Sequence, residues 1–532
     1  MKRRSLARTV LSTAVVCSAL ISAATGVDGQ TPRASRTNAA VNEPAPKGKA
    51  APARAREDVN KRNPDGSTPL QWAVHEGDVA EVKRLLRAGA DVKIANNYGA
   101  TPMGLAAEVG NADMIAVLLE AGADVESPDP DGMTALLAVS RTGNVKAAEL
   151  LLKEGANVDA RESWGGQTPL MWATARRHPD MMRLLIAKGA DVNARSIDRN
   201  YQRHVTAEGR PKSLDSGGFT PLLYAARENC IACVDVLLEN RADIDLPDPD
   251  GVSPLLVAIM NANWDLARHL IKAGADVNQW DIYGEAPLYL AINGRTRLDG
   301  CGSIDATNTT TGLDIVKLLL ERGANPNMQL LFRPANLTGT TNTRGATPLI
   351  RAANNADIEV INLLMEHGAD ASIAMADRQT VIHAVISGRS PEPQAIELIK
   401  TFHKAGADIN SIALVNHGLE IRGGTALHFA VRKRQKDVIK ALASLGIDMD
   451  AVDQDGLTAL DYTQSRGFMP FMALQTPVFK EEAALLRELG ATKMMARSPE
   501  WPVLGPPQGV WADIWPLGES KVHEPVYKPI IR

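Results

Sequence analysis

From Asn63 to Thr492 the chain alternates short apolar stripes with polar, turn-rich stretches, in a cycle of 33 or 34 residues where it runs undisturbed. One cycle opens with Thr68-Pro69-Leu70, carries a second apolar stripe at Leu85-Leu86, and closes with Gly89-Ala90-Asp91-Val92. The next reads Thr101-Pro102-Met103, Leu118-Leu119 and Gly122-Ala123-Asp124-Val125. The closing glycine returns at Gly155, Gly189, Gly274, Gly323, Gly368 and Gly406.

Each part of the cycle predicts an element. The hydroxyls of Thr68, Thr101, Thr168, Thr220 and Thr347 stand where an N-cap accepts an orphan helix N–H. The proline after each occupies the first helical position, where its missing N–H costs nothing. Leu85-Leu86, Leu151-Leu152, Leu237-Leu238 and Leu319-Leu320 mark the apolar stripe of a second helix. The glycine then stops that helix in a left-handed conformation. The Asp/Asn-rich stretch that follows, such as Pro128-Asp129-Pro130-Asp131-Gly132, is turn chemistry. A helix pair plus a hairpin cannot bury its apolar face alone, so neighbouring units must stack.

A period near 33 with Thr-Pro-Leu opening each unit resembles the ankyrin repeat. The resemblance covers residues 63–492, about eleven units, some of them degenerate. It implies an all-α solenoid of helix-loop-helix repeats with β-hairpin fingers and loop insertions. After Gly189 the next equivalent position, Arg241, comes 52 residues later. The pattern places hairpin insertions at about Ser196–Asp215, Met328–Asn342 and Ser411–Arg422. The first carries Arg199, Tyr201, Arg203, His204, Arg210 and Lys212, and the second carries Phe332 and Arg333. Two further insertions, Asn293–Thr311 and Gly388–Pro393, fall between the two helices of their units. Asp455–Thr492 reads as a capping repeat.

The ends differ in composition. Residues 1–24 read as a signal peptide: Lys2, Arg3, Arg4 and Arg8 precede the apolar stretch Val10–Ala24, which ends in small residues. Arg3-Arg4-Ser5-Leu6 weakly resembles a twin-arginine signal. The stretch is too short and too diluted by Ser, Ala and Thr to span a membrane, and Val16 before Cys17 is too bulky for a lipobox. Residues 25–62 are a Pro/Ala-rich basic linker of disordered composition. Residues 493–532 form a tail with Trp501, Trp511 and Trp515 among prolines, either packed on the end of the solenoid or serving as a docking strap. The expectation is an exported protein of bacterial type, periplasmic or secreted, and monomeric.

The net charge of −4 over 532 residues, made more acidic by removal of residues 1–24, excludes a nucleic-acid binder with a basic stripe. Cys230-Ile231-Ala232-Cys233 lies between the helices of its unit, without the strand–helix setting of a redox motif. It reads as packed thiols or a local disulfide; a redox accessory or enzyme built on the pair, or a secreted effector, are the alternatives. Cys301 leaves no partner spacing for zinc. His383 and His428 follow Thr-x-Leu/Ile, where the resemblance implies a structural bond to the threonine. Asp129/Asp131 and Asp248/Asp250 offer too few ligands for calcium. No catalytic, cofactor or metal site is expected.

The resemblance places hairpins and first helices on a concave, partner-binding face. Its variable positions are Tyr98, Trp164, Phe219, Val252 and Tyr283 at the hairpins, with His75/Glu76, Arg176 and Arg227/Glu228 at the helix ends. Large aromatics beside arginine are hot-spot composition. Trp72, Trp172, Tyr224 and Phe429 fall one register position away and are expected in the core. The expected partner is a protein.

Overall fold

The structure, a computed structural model, describes residues 58–198, 217–295, 308–331, 344–414, 423–454, 456–463 and 479–494. The expected signal peptide, Cys17, most of the linker, the interiors of the longer insertions with Cys301, and the Trp-rich tail lie outside the described residues. Among the described residues stand eleven successive helix pairs. The first helices open after Thr68, Thr101, Thr134, Thr168, Thr220, Ser253, Ala286, Thr347, Thr380, Thr425 and Thr458, which define repeats 1 to 11.

The caps are those the sequence implies. The Thr101 hydroxyl accepts from the Gly104 N–H at 3.0 Å, with Pro102 next in line. At the other end of each unit, Gly89 at φ +92° donates its N–H to the Leu86 carbonyl and Ala90 donates to Leu85, both at 3.0 Å. This double bond pattern is a Schellman motif. It closes all eleven second helices, including the one where Arg241 replaces glycine at φ +64°. Ten of the second helices are therefore held to nine or ten residues; only Glu392–Lys404 runs to 13. Such helices are marginal alone, since isolated ones need roughly 12–15 residues to persist. Their stability comes from packing.

The apolar stripes meet in one continuous core running from Val59 to Ala491. Each first helix packs on the first helices of its neighbours, and in repeats 1 to 10 on its own second helix as well. The fingers hold no named strand among the described residues; three isolated bridges, Asp198–Gly217, Ala413–Gly424 and Val452–Thr458, are what remains of hairpin pairing. The first two close the necks of insertions, so added chain leaves from a paired stem.

Two polar links set the stacking register. Where a carboxamide or carboxylate stands two residues past the Ala-Asp/Asn step or its equivalent, it accepts the backbone N–H of the corresponding residue one repeat on. Asn60 takes the Asp91 N–H at 2.8 Å, Asp245 takes that of Asp276 at 2.8 Å, and Asn410 takes that of Asp448 at 2.8 Å. Asn193 makes the same bond to Asp243, 50 residues away, so the first insertion bulges without breaking the stack. The second link runs from the third residue of the first helix. Gln71 accepts the Thr68 N–H at 2.8 Å and donates to the Ala100 carbonyl of repeat 2 at 2.6 Å. His383 does the same: its Nδ1 accepts from the Thr380 N–H, so Nε2 carries the proton and donates to the Gly424 carbonyl at 3.3 Å. His428 repeats the pattern with Thr425 and Leu457.

Repeat 9 turns between its helices at extended Gly388; in eight other described repeats that turn is made by a left-handed residue. Glycine supplies it in repeats 1 to 3, at Gly77, Gly110 and Gly143. Later repeats force Arg177, Asn229, Ala262, Ala356 and Arg434 into the same conformation. A residue with a Cβ is strained there by about 1–2 kcal/mol. Ala356→Gly is therefore expected to stabilise the chain by about 1 kcal/mol. Gly143→Ala should destabilise it by ~1–3 kcal/mol, because its Cβ would stand 2.7 Å from the His178 ring. Denaturant midpoints of the two variants test both.

His383 makes the stack acid-sensitive. Burial holds its imidazole well below the usual 6.5, at about 4. The unfolded chain binds the proton first, so stability is complete above pH 6.5 and falls as pH drops from there toward 4. The loss reaches roughly 3 kcal/mol. His383→Gln, copying Gln71, should remove this contribution, so between pH 7.5 and 4.5 the variant should lose less stability than wild type in urea titrations, while buried His428, also held below its usual value, keeps a slope of the same sign.

Candidate functional site

The first helix presents a fixed set of positions to the face it shares with the fingers. Its fourth residue is Trp72, Leu105, Ala138, Trp172, Tyr224 and Val257 in repeats 1 to 6. The helix ends supply His75/Glu76, Glu108/Val109, Arg141/Thr142, Ala175/Arg176 and Arg227/Glu228, with Arg177 in the turn that follows Arg176. The fingers add Tyr98, Trp164 and Phe219.

Exposure separates these residues. Tyr98 is 75% exposed and Trp164 52%, both at finger tips. Trp164 is held there from below: buried Glu162 accepts the N–H groups of Trp164, Gly165 and Gln167 at 2.8–2.9 Å. Arg176, Arg177 and Arg227 are exposed. Phe219 and Tyr283, expected at open tips, are half-buried instead. Phe219 stands immediately before its N-cap, two positions nearer the helix than Tyr98, and packs edge-on against the Tyr224 ring at 5.5 Å. Tyr283 is covered by the next finger, whose Leu331 N–H donates to its carbonyl at 2.9 Å.

The expected core aromatics also divide. Tyr224 and Phe429 are buried. Trp72 is not: it is 47% exposed, and its indole N–H donates to the Ser67 hydroxyl at 2.9 Å. Trp172 is half-buried, and its buried Nε1 has no acceptor among the described residues. Their register position faces the gap between fingers, and only a bulky neighbour closes that gap. Tyr224 has such neighbours. Phe219 leans on it, the Arg227 guanidinium lies 4.9 Å from its centroid, and Gln167 donates to its hydroxyl at 2.5 Å.

Between the fingers of repeats 2 and 3 lies a pit of about 170 Å³, lined by Tyr98, Gly104, Leu105, Met133 and Ala138, with Glu108 at its edge. Glu108 is paired with Arg141, and Arg227 with Glu228 at 3.0 Å. Arg176 and Arg177 have no carboxylate partner among the described residues. Farther along, the fingers of repeats 7 and 9 hold buried carboxylates. Burial pushes Asp281 up to about 6 against the pull of the Glu285 and Tyr283 N–H groups, and raises Asp377 to about 6 likewise.

A larger cavity, about 490 Å³, opens near the inter-helix turns of repeats 6 to 8, beside Trp264, Arg295, Gly312 and Asp357. Its one cation is already neutralised among the described residues: Arg295 pairs with Asp357 at 2.8 Å and Glu359 at 3.3 Å. No cluster of three metal-ligating side chains occurs among the described residues. Asp129 instead accepts the N–H groups of Asp131 and Met133, both at 2.9 Å, as a turn carboxylate does. Cys230 and Cys233 form a disulfide. Cys230 caps the helix Ile231–Glu239, its sulfur accepting the Cys233 N–H at 3.2 Å, where repeats 2 and 3 use Asn111 and Asn144. No described helix is long and apolar enough to cross a membrane.

A family model described as ankyrin repeats (3 copies) matches residues 49–129, 125–196, 222–330 and 304–413, and a single-repeat model matches 422–454. Among curated proteins, the mouse B-cell lymphoma 3 protein homolog is 28% identical over 246 residues, covering 43% of this chain and 52% of that protein. The chicken nuclear factor NF-kappa-B p105 subunit is 28% identical, covering 47% of this chain and 24% of that protein. The Arabidopsis thaliana E3 ubiquitin-protein ligase KEG is 24% identical, covering 56% and 18%. The chain thus spans about half or less of the length of these relatives. The solved ankyrin repeat domain of Bcl-3 is 27% identical, covers 42% of this chain and 94% of that one, and has a TM-score of 0.36, which adds nothing to the architecture above.

The disulfide offers a direct check on the site's chemistry. Peptide mapping without reductant should recover Cys230 and Cys233 linked to each other, and thiol labelling of the native chain should miss both. Labelling of either would show a free, reactive pair.

Proposed function

The chain belongs to the ankyrin repeat family, and from that premise we propose that it is a non-catalytic scaffold that binds a protein partner on the face formed by fingers and first helices. One observation carries the reading. Two large aromatics, Tyr98 and Trp164, stand open to solvent on the same set of fingers, with Arg176 of repeat 4 unpaired among the described residues. Exposed Trp, Tyr and Arg together are the residues that dominate binding energy at interfaces. The repeats themselves support a binding role, and the relatives named above include proteins with enzymatic names. The signal-like residues 1–24 support export to the periplasm or the exterior as part of the same proposal.

The test is affinity capture with residues 25–532 from the envelope fraction of the native cell, followed by titration of the captured protein. Tyr98→Ala and Trp164→Ala should each weaken binding by ~2 kcal/mol, about thirtyfold, with unchanged melting. Retention of full affinity in both variants would place the contact elsewhere.

A further inference from the structure

The pit between repeats 2 and 3 exists because two small residues meet. Ala138 is the smallest of the fourth-position residues in repeats 1 to 6, where its neighbours are Leu105 and Trp172. Gly104 brings no side chain to the opposite wall. The space left, about 170 Å³, has an apolar wall of Tyr98, Leu105, Met133 and Ala138 and a polar rim that includes Ser127 and Asp129. Sites for drug-sized ligands occupy about 300–1,000 Å³, so this one is a slot for a single apolar side chain. Electrostatics around it are uneven. The two carboxylates of the pit are engaged, Glu108 by Arg141 and Asp129 by the N–H groups of Asp131 and Met133, and farther along Glu228 pairs with Arg227, whereas Arg176 and Arg177 stand exposed and unpaired among the described residues.

We propose that the face binds an extended segment of its partner that carries one large apolar side chain, Leu, Met or Phe, and an acidic pair. The apolar side chain fills the pit, and the carboxylates pair with Arg176 and Arg177. This names the partner chemistry of the scaffold reading above and rests on it. Packed helices stand about 8–10 Å apart, which puts the arginines of repeat 4 roughly 15–20 Å from a pit between repeats 2 and 3. An extended chain covers that span in about four to six residues at ~3.3 Å each. Arginine is suited to the second contact, because its planar fork takes a carboxylate in two parallel bonds.

The experiment selects random dodecapeptides displayed on phage against residues 25–532, then titrates the enriched peptides against wild type, Ala138→Leu and the double variant Arg176→Glu/Arg177→Glu. Leucine stands at this position in repeats 2 and 7, as Leu105 and Leu290, so the first variant fills the pit with a residue the fold accepts. The double variant changes exposed side chains only. Melting curves verify both. Enriched peptides should share an apolar residue and two acids four to six residues away, and lose at least tenfold in affinity with either variant. Peptides without the acids, peptides that bind Ala138→Leu as well as wild type, or no enrichment would overturn the assignment. The capture experiment keeps the two ideas apart. A partner lost on Trp164→Ala, together with peptides lacking the pattern, removes only the chemistry proposed here. No Trp164-dependent partner removes the face itself.

Discussion

No unit of this chain can cover both of its own sides. A pair of short helices buries apolar surface only when another pair stands on each flank, so every local feature depends on the stacking register. Two polar contacts fix that register: the Asp/Asn acceptor that takes an N–H one repeat on, and the third helical residue that bridges its own threonine and the next finger. The second uses backbone groups that stacking would otherwise bury unpaired, at a cost of about 1–3 kcal/mol each, whereas the first is made at the exposed edge of the stack. Lys93 and Ser372 occupy the acceptor position and make no such bond among the described residues, so those junctions rely on the core alone.

A framework held this way leaves one row of positions free. The fourth residue of the first helix faces the gap between fingers, so it ranges from Ala138 through Leu105 to Trp72 and Trp172 without disturbing the helices. Function can vary where the row opens to solvent, as at Trp72, whereas Tyr224, Val257 and Phe429 in the same row are part of the buried core. The insertions follow the same logic. The bond from Asn193 to Asp243 keeps repeats 4 and 5 in register while added residues leave through the neck at Asp198 and Gly217.

Much of this was readable in the chain. The threonine caps, the proline after them, the eleven helix stops and the structural histidines follow from contacts within a few residues, and the relevant residue types are distinctive. The left-handed inter-helix turn was harder to read, since Arg177, Ala262 and Ala356 give no glycine signal where neighbours dictate the conformation. The site was legible only in part. Tyr98 and Trp164 stand out as expected, but the offset of Phe219 toward its N-cap turns it onto Tyr224. Trp72, expected in the core, faces solvent because its finger offers only the small Ser67 as cover.

By itself the sequence determined the repeat, its helix starts and stops, the points where extra chain is inserted, and the family. Those depend on caps and turns whose partners lie no more than about five residues apart, less than two helical turns. Tertiary structure alone decided which aromatics are open, which arginines lack a carboxylate, and that a pit lies between repeats 2 and 3. Each of those depends on side chains brought together from neighbouring repeats, as Glu108 and Arg141 are from positions 33 residues apart. No pattern within one repeat can specify such a meeting.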